Sequence, residues 1–312
     1  MSGTAMSRVG IVGAGTMGTR IAFRCAVSGV ETFLYDKYPE VLEHSLHAIE
    51  GWLAQRVKSG VLGPDEAQAA LSRIHACETL AQCVADVPLV IENVHEDLKL
   101  KREVFAEIDQ LAPPHTLIAT NSSSLPCSRI ADATGRPDKI FNVNFADPTQ
   151  DNHVEVMKGA TTSDETLAAG VAFLRSPGMV PIVAYKEIMG LSFNRVWRAV
   201  KRETLHLVDQ GYCTHEDLDR AWMMNFEMPC GPFGLMDKIG LDVIHDIEMQ
   251  YYLDSGDERD KPPQMLVVMV ARGDVGVKSG RGFYTYPHPA YEQPGWLRKE
   301  GSWDDTPTTD AS

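Results

Sequence analysis

Gly13, Gly15 and Gly18 lie in the run Arg8-Val-Gly-Ile-Val-Gly-Ala-Gly-Thr-Met-Gly18, and an acid, Asp36, follows 18 residues after the last glycine. Those residue types at that spacing suit the diphosphate of an adenine dinucleotide. Gly13 permits a tight turn out of a strand, Gly15 lets a pyrophosphate approach the backbone, and Gly18 lets the following helix pack close to the sheet. Thr16, Met17 and Gly18 open that helix, whose free N–H groups and positive dipole end favour phosphate. Asp36, at the end of a second strand, would accept hydrogen bonds from ribose hydroxyls and repel a 2′-phosphate, so NAD is expected over NADP. Lys37 beside it softens that preference. A GxGxxG alone is a weak signal. Here an apolar run (Val9, Ile11, Val12) precedes it and a helical pattern (Met17, Ile21, Ala22, Cys25) follows, which is the context that gives it meaning. The competing reading is an ordinary glycine-rich strand–helix turn.

The elements that must position these residues are legible in the apolar periodicity. Strand-like runs fall at 9–12, 32–35, 87–91, 116–120, 140–145, 154–157 and 180–183, with helix-like runs between most of them. Helical periodicity over 45–57 and a Pro64 start to the next segment predict a helical pair inserted after the second strand. The fold class is therefore α/β: a doubly wound, mostly parallel Rossmann-type sheet. Strand signal ends near Gly190, and helical runs follow at 192–208, 215–224, 232–239 and 242–252. The expected organisation is an NAD-binding domain over 1–188, an all-helical domain over 189–286, and a flexible tail over 287–312, which is rich in Pro, Gly, Asp and Thr.

Composition narrows the function classes. The chain has 312 residues, 29 basic and 43 acidic side chains, a formal charge of −14 and 44% hydrophobic residues. That acidity argues against nonspecific binding to nucleic acid or to anionic membrane, both of which need a basic face. The six cysteines contain no CxxC pair, so no metal or redox motif is indicated, and buried reduced thiols in a cytoplasmic protein are expected. No stretch approaches 18 apolar residues, and the first eight residues carry no signal-like apolar core.

Beyond the glycines, several stretches resemble the L-3-hydroxyacyl-CoA dehydrogenases across nearly the whole length. They are Ile91-Glu-Asn-Val-His-Glu-Asp-Leu-Lys99, Ala119-Thr-Asn-Ser-Ser-Ser-Leu125, Val154-Glu-Val156, Gly190-Leu-Ser-Phe-Asn-Arg195, Gly231-Pro-Phe-Gly234 and Ser279-Gly-Arg-Gly-Phe-Tyr284. The resemblance implies the fold above, an NAD cofactor, a homodimer made through the helical domain, and hydride transfer in a cleft between domains. It implies that Glu96, Lys99 and Asn121 attend the cofactor. It places Ser123 and Asn194 around the substrate oxygen, and Glu155 as the acid that orients a catalytic histidine. Read without the family, Glu96 and Lys99 are a solvated helix start, Ser123 is a helix cap, and Asn194 is a polar surface residue. Glu155 sits in an apolar strand, where a carboxylate needs a partner or a wet cleft.

One stretch departs from the family. Its general base is a histidine in a His-Phe-Phe-Asn-Pro run, and here that run reads Asn144-Phe-Ala-Asp-Pro148. An amide does not exchange a proton near neutral pH, and losing a positioned base costs about 10²–10⁴ in rate. Three accounts stay open. His153 shares a strand face with Glu155, so either could be the proton acceptor, although a surface histidine at a strand start is the plainer reading. The substrate could instead be a smaller hydroxy acid or alcohol, such as a sugar acid, a carnitine-like compound or a pyridine carboxylate. Or the chain could bind NAD with weakened turnover. For a CoA thioester, Lys37, Arg56, Lys58 and Arg73 are the cations available to the CoA phosphates, against a reading of all four as exposed helix charges. The expected activity is interconversion of a β-hydroxy acid or 3-hydroxyacyl-CoA with its 3-keto form.

Overall fold

The structure, a computed structural model, describes residues 7–298. The chain divides into two compact units, 1–194 and 195–312. That division falls inside a helix and six residues beyond the expected boundary at 188.

The first unit contains β1 (Arg8–Val12), α1 (Thr16–Val27), β2 (Glu31–Tyr35), α2 (Pro39–Lys58), α3 (Pro64–Ser72), β3 (Ile74–Ala76), α4 (Leu80–Val84), β4 (Leu89–Glu92), α5 (Leu98–Leu111), β5 (Leu117–Thr120), α6 (Ser128–Ala131), β6 (Ile140–Phe145), β7 (His153–Met157), α7 (Asp164–Arg175) and β8 (Val180–Ala184). The strands form one sheet in the order β3-β2-β1-β4-β5-β6-β7-β8. Every pairing is parallel except β6 with β7, which places Asn144 opposite Glu155. The Rossmann-type sheet and the helical pair α2–α3 stand where the periodicity puts them. The sequence reading missed β3, because Ile74-His-Ala is three residues with no alternation to detect.

Helices cover both faces of the sheet, as a parallel sheet requires. On one side Ile21, Ala22 and Cys25 of α1 and Ile49 and Leu53 of α2 pack against Val9, Ile11 and Leu34. On the other, Cys83 and Val84 of α4 and Phe105 and Ile108 of α5 pack against Val12, Val90 and Ile118. Parallel strands bring their carboxyl ends to one edge. The loops leaving β1, β2, β4, β5 and β6 therefore open on the same side.

The second unit is helical: α8 (Ser192–Asp209, which begins in the first unit), α9 (His215–Phe226), α10 (Pro232–Ile239), α11 (Leu241–Ser255) and α12 (Gln264–Ala271). Its core gathers Leu205, Met223, Phe233, Met236, Leu241, Ile244, Leu266 and Tyr284. The sequence reading missed α12, whose unbroken apolar run Met265–Val270 has no polar face to reveal a helical period. Two buried aspartates tie the unit together. Asp219 accepts from the N–H groups of Phe233 and Gly234 and from the Tyr284 hydroxyl. Asp237 accepts from the N–H groups of Phe283 and Tyr284 and from the Tyr286 hydroxyl. The segment expected to begin a flexible tail at 287 instead forms two short 3-10 turns, with Tyr291 buried and the Arg220 guanidinium over the Trp296 ring. Pro and Gly there mark tight turns rather than disorder. Residues 299–312 of that expected tail lie outside the described residues.

Candidate active site

The glycine loop leaves β1 at Gly13, whose φ of +95° and close approach to Asn93 leave no room for a side chain. At Gly18 a Cβ would sit 1.8 Å from the Gly13 carbonyl oxygen, so α1 packs on the strand only as glycine allows. A Cβ at Gly15 would meet nothing within 4 Å. Its outer face is open, as close approach by a diphosphate requires. In the first turn of α1 the N–H groups of Thr16, Met17 and Gly18 precede the first intrahelical donor, the Thr19 N–H, which bonds the Gly15 carbonyl at 3.0 Å.

Asp36 follows β2 and turns back onto this loop. Its Oδ2 accepts from the Ala14 N–H at 2.7 Å and its Oδ1 from the Tyr38 N–H at 3.0 Å. The carboxylate is thus held at the mouth of the glycine turn, half-buried, where a ribose diol would meet it. Beside Gly13, the Asn93 amide is held through its Nδ2 to the Ile91 carbonyl at 3.0 Å, while its Oδ1 is buried without a protein partner. An unpartnered acceptor at a glycine turn fits a ligand that brings hydroxyl donors. The residues present therefore fit a dinucleotide.

A second cluster surrounds the end of β4. Glu92 and Lys101 are both fully buried and joined at 2.8 Å. Glu92 also accepts from the Thr120 hydroxyl at 2.8 Å and the Val94 N–H at 2.6 Å. Burial raises the Glu92 pKa above the ordinary carboxylate range, against the pull of Lys101, Thr120 and Val94. Lys101 lies 3.3 Å from Glu96, which also accepts from the hydroxyls of Ser122 and Ser124. Burial pushes the Glu96 carboxyl up, but those hydroxyls and the Lys101 ammonium outweigh it, and its pKa lies below the usual range. Lys99 is not part of this cluster. Its side chain is 87% exposed and pairs loosely with Glu103. The lysine brought to Glu96 is Lys101, which the sequence reading passed over. Spacing from Asp97, which caps α5 through the Leu100 N–H, was the signal that could have found it. Position 101 lies one turn beyond the cap, on the face toward β4.

Ser122, Ser123 and Ser124 follow β5. Ser122 and Ser124 turn to Glu96, and Ser123 is left exposed. Two asparagines fix this loop to β6. The Asn121 Oδ1 accepts from the Phe145 N–H at 3.1 Å. Asn142, fully buried, accepts from the Cys127 N–H at 2.7 Å and donates to the carbonyls of Leu125 at 3.0 Å and Ser122 at 3.4 Å. Asn121 thus serves the serine loop in this structure, and Asn142 is a positioning residue that no motif announced.

Asn144 and Glu155 face each other across the antiparallel pair. Glu155 is 3% exposed, and its Oε1 accepts three hydrogen bonds: from the Ser192 N–H at 2.9 Å, the Ser192 hydroxyl at 2.7 Å and the Phe193 N–H at 2.8 Å. A carboxylate on an apolar strand thus finds its partners at the N-terminus of α8, where negative charge is favoured. His153, two residues earlier on the same face, is half-buried and meets the Phe193 ring edge-on at 6.3 Å. Asn194 occupies the first turn of α8, half-buried.

The cations considered for CoA phosphates divide. The Arg56 guanidinium bonds the Thr149 carbonyl and lies over the Phe23 ring, and Arg73 donates to the Ala26 carbonyl at 3.1 Å. Lys37 and Lys58 are exposed. Among the described residues no group of three or more His, Cys, Asp or Glu side chains could hold a metal ion, and no helix is long and apolar enough to cross a membrane. All six cysteines are free thiols.

Two family models match. Residues 8–188 match the 3-hydroxyacyl-CoA dehydrogenase NAD binding domain, and residues 190–286 match the 3-hydroxyacyl-CoA dehydrogenase C-terminal domain. The chain is 33% identical over 282 residues to a probable 3-hydroxybutyryl-CoA dehydrogenase of Bacillus subtilis, covering 90% of this chain and 98% of that one. Among solved structures, a (S)-3-hydroxybutyryl-CoA dehydrogenase from Ralstonia eutropha superposes with a TM-score of 0.84 at 31% identity, over 91% of this chain and all of the other. A diketoreductase described as acting on dicarbonyl compounds superposes with a TM-score of 0.81 at 32% identity, over the same shares.

Proposed function

The chain belongs to the 3-hydroxyacyl-CoA dehydrogenase family, and from that premise we propose that it interconverts a 3-hydroxyacyl-CoA with its 3-keto form, using NAD. The observation that carries this reading is the shared edge of the sheet. The carboxyl ends of β1, β2, β4 and β5 bring the open Gly15 loop, Asp36, Glu96 and Ser123 to one side.

NAD, when bound, takes up or returns the hydride. The glycine loop and the first turn of α1 would hold its diphosphate, and Asp36 its ribose. Glu96, kept ionised by Ser122, Ser124 and Lys101, would border its nicotinamide half, with Lys101 rather than Lys99 as the neighbouring cation. The Ser123 hydroxyl and the Asn194 amide would orient the substrate oxygen. Asn144, read as standing at the position of the family's histidine, would offer an amide but no proton transfer.

A second reading is a smaller β-hydroxy or dicarbonyl substrate without CoA. The engagement of Arg56 and Arg73 with backbone carbonyls favours it, as does the likeness to a diketoreductase. The deciding assay is NADH formation from NAD and either 3-hydroxybutyryl-CoA or free 3-hydroxybutyrate. Turnover of the thioester alone supports the first reading, and turnover of the free acid alone supports the second. NADH binding without turnover of either overturns both and leaves an NAD-binding protein. We further propose a cytoplasmic homodimer formed through the helical unit, supported by the exposed Met224, Phe226 and Met228 at the end of α9.

A further inference from the structure

We propose that His153 is the proton acceptor of the reaction, and that Glu155 is the positioning residue that holds it in place through α8. The inference rests on the dehydrogenase reading above and names a residue for it. The face shared by β6 and β7 carries Asn142, Asn144, His153, Glu155 and Met157. The neighbours on that face are Thr120 on β5 and Val180, Ile182 and Ala184 on β8. Of these strand residues only His153 and Glu155 can exchange a proton. The other titratable groups at that face are engaged: Glu92 with Lys101 and Thr120, and Glu187 with the Ser128 N–H beside Cys127, whose thiol burial pushes up to about 12. Glu155 is buried, and its Oε1 is engaged by three donors of α8. Protonating it would loosen the helix start it holds.

His153 has no such duty. It is a half-buried imidazole at the open end of β7 and a diagonal cross-strand neighbour of Asn144. Its ring meets the largely exposed Phe193 ring edge-on at 6.3 Å, and the Phe193 backbone N–H is held by Glu155. The carboxylate thus seats the helix start whose first aromatic side chain meets the histidine. Imidazole is also the side chain suited to taking a proton near neutral pH. In the oxidative direction the substrate O–H bond breaks and its proton passes to the His153 ring nitrogen. The carbon's hydride leaves for NAD, the C=O bond forms, and the imidazolium then releases its proton to solvent.

The test uses the full chain. NAD-dependent oxidation of 3-hydroxybutyryl-CoA and of free 3-hydroxybutyrate is measured alongside NADH affinity, for wild type, His153→Gly, and the double variant His153→Leu with Asn144→His. His153→Gly is expected to lose about 10²–10⁴ in kcat while binding NADH as wild type does. Added imidazole is expected to restore much of that activity, and so is moving the histidine to position 144, opposite Glu155. A His153→Gly protein with wild-type kcat overturns the assignment. So does a loss that neither added imidazole nor the relocated histidine reverses, since His153 would then act only structurally. A wild-type protein that turns over neither substrate overturns the dehydrogenase reading itself, and this assignment with it.

Discussion

Each glycine of the loop answers to a different constraint, and the constraints can be separated. Gly18 is closed by the Gly13 carbonyl, whereas Gly15 faces open space. Gly18→Ala is therefore expected to disrupt the α1–β1 packing and lower the melting temperature. Gly15→Ala is expected to stay within about 0.5 kcal/mol of wild type yet weaken NADH binding at least tenfold, read by fluorescence titration. Glu96 makes a second residue-scale prediction. Its carboxyl titrates below the usual range because Ser122, Ser124 and Lys101 outweigh its burial. Its contribution to stability is thus present above the unfolded value and lost as pH falls through the folded one. The stability gap between wild type and Glu96→Gln, followed by thermal melts without cofactor, should be widest above pH 5 and close on acidification.

At the scale of elements, two buried carboxylates, Glu92 and Glu155, hold the pieces that carry the site. Lys101 joins α5 to β4 through Glu92, both fully buried. Lys101→Met strands an unpaired buried carboxylate and is expected to cost about 3–5 kcal/mol. Lys99→Met, on the exposed face, should cost less than about 0.5 kcal/mol. Denaturant unfolding distinguishes the two and tests which lysine the structure depends on. Glu155 joins β7 to the start of α8. Glu155→Ala removes an acceptor from three donors and is expected to destabilise by about 2 kcal/mol. Hydrogen exchange should quicken first at Ser192 and Phe193 if the carboxylate seats this helix. Unchanged protection there would remove it from that role.

At the scale of the whole molecule, the parallel order of the sheet explains why residues from five separate loops open on one edge. The helical unit has its own core, organised by Asp219 and Asp237, and it also displays apolar side chains to solvent. Light scattering on a sizing column is expected to give twice the 34.4 kDa chain mass. A mass equal to the single chain at micromolar concentration would rule out the proposed homodimer.

The sequence by itself determined the α/β class, the two-part organisation, and the residues of the glycine loop and its acid. Those depend on local constraints: strand and helix periodicity, a turn that only glycine makes, and an acid at the next strand's end. Its resemblance to the family pointed to Ser123 and Glu155, and strand spacing added His153, as residues able to do chemistry. Tertiary structure decided which lysine meets Glu96: spacing from the Asp97 cap marks position 101, but only packing shows which face of α5 turns to β4. It also decided that Asn142 pins the serine loop, and that the partner of Glu155 is the start of a helix 37 residues further along the chain. Such contacts depend on strand register and helix placement, which bring together residues that no local pattern relates.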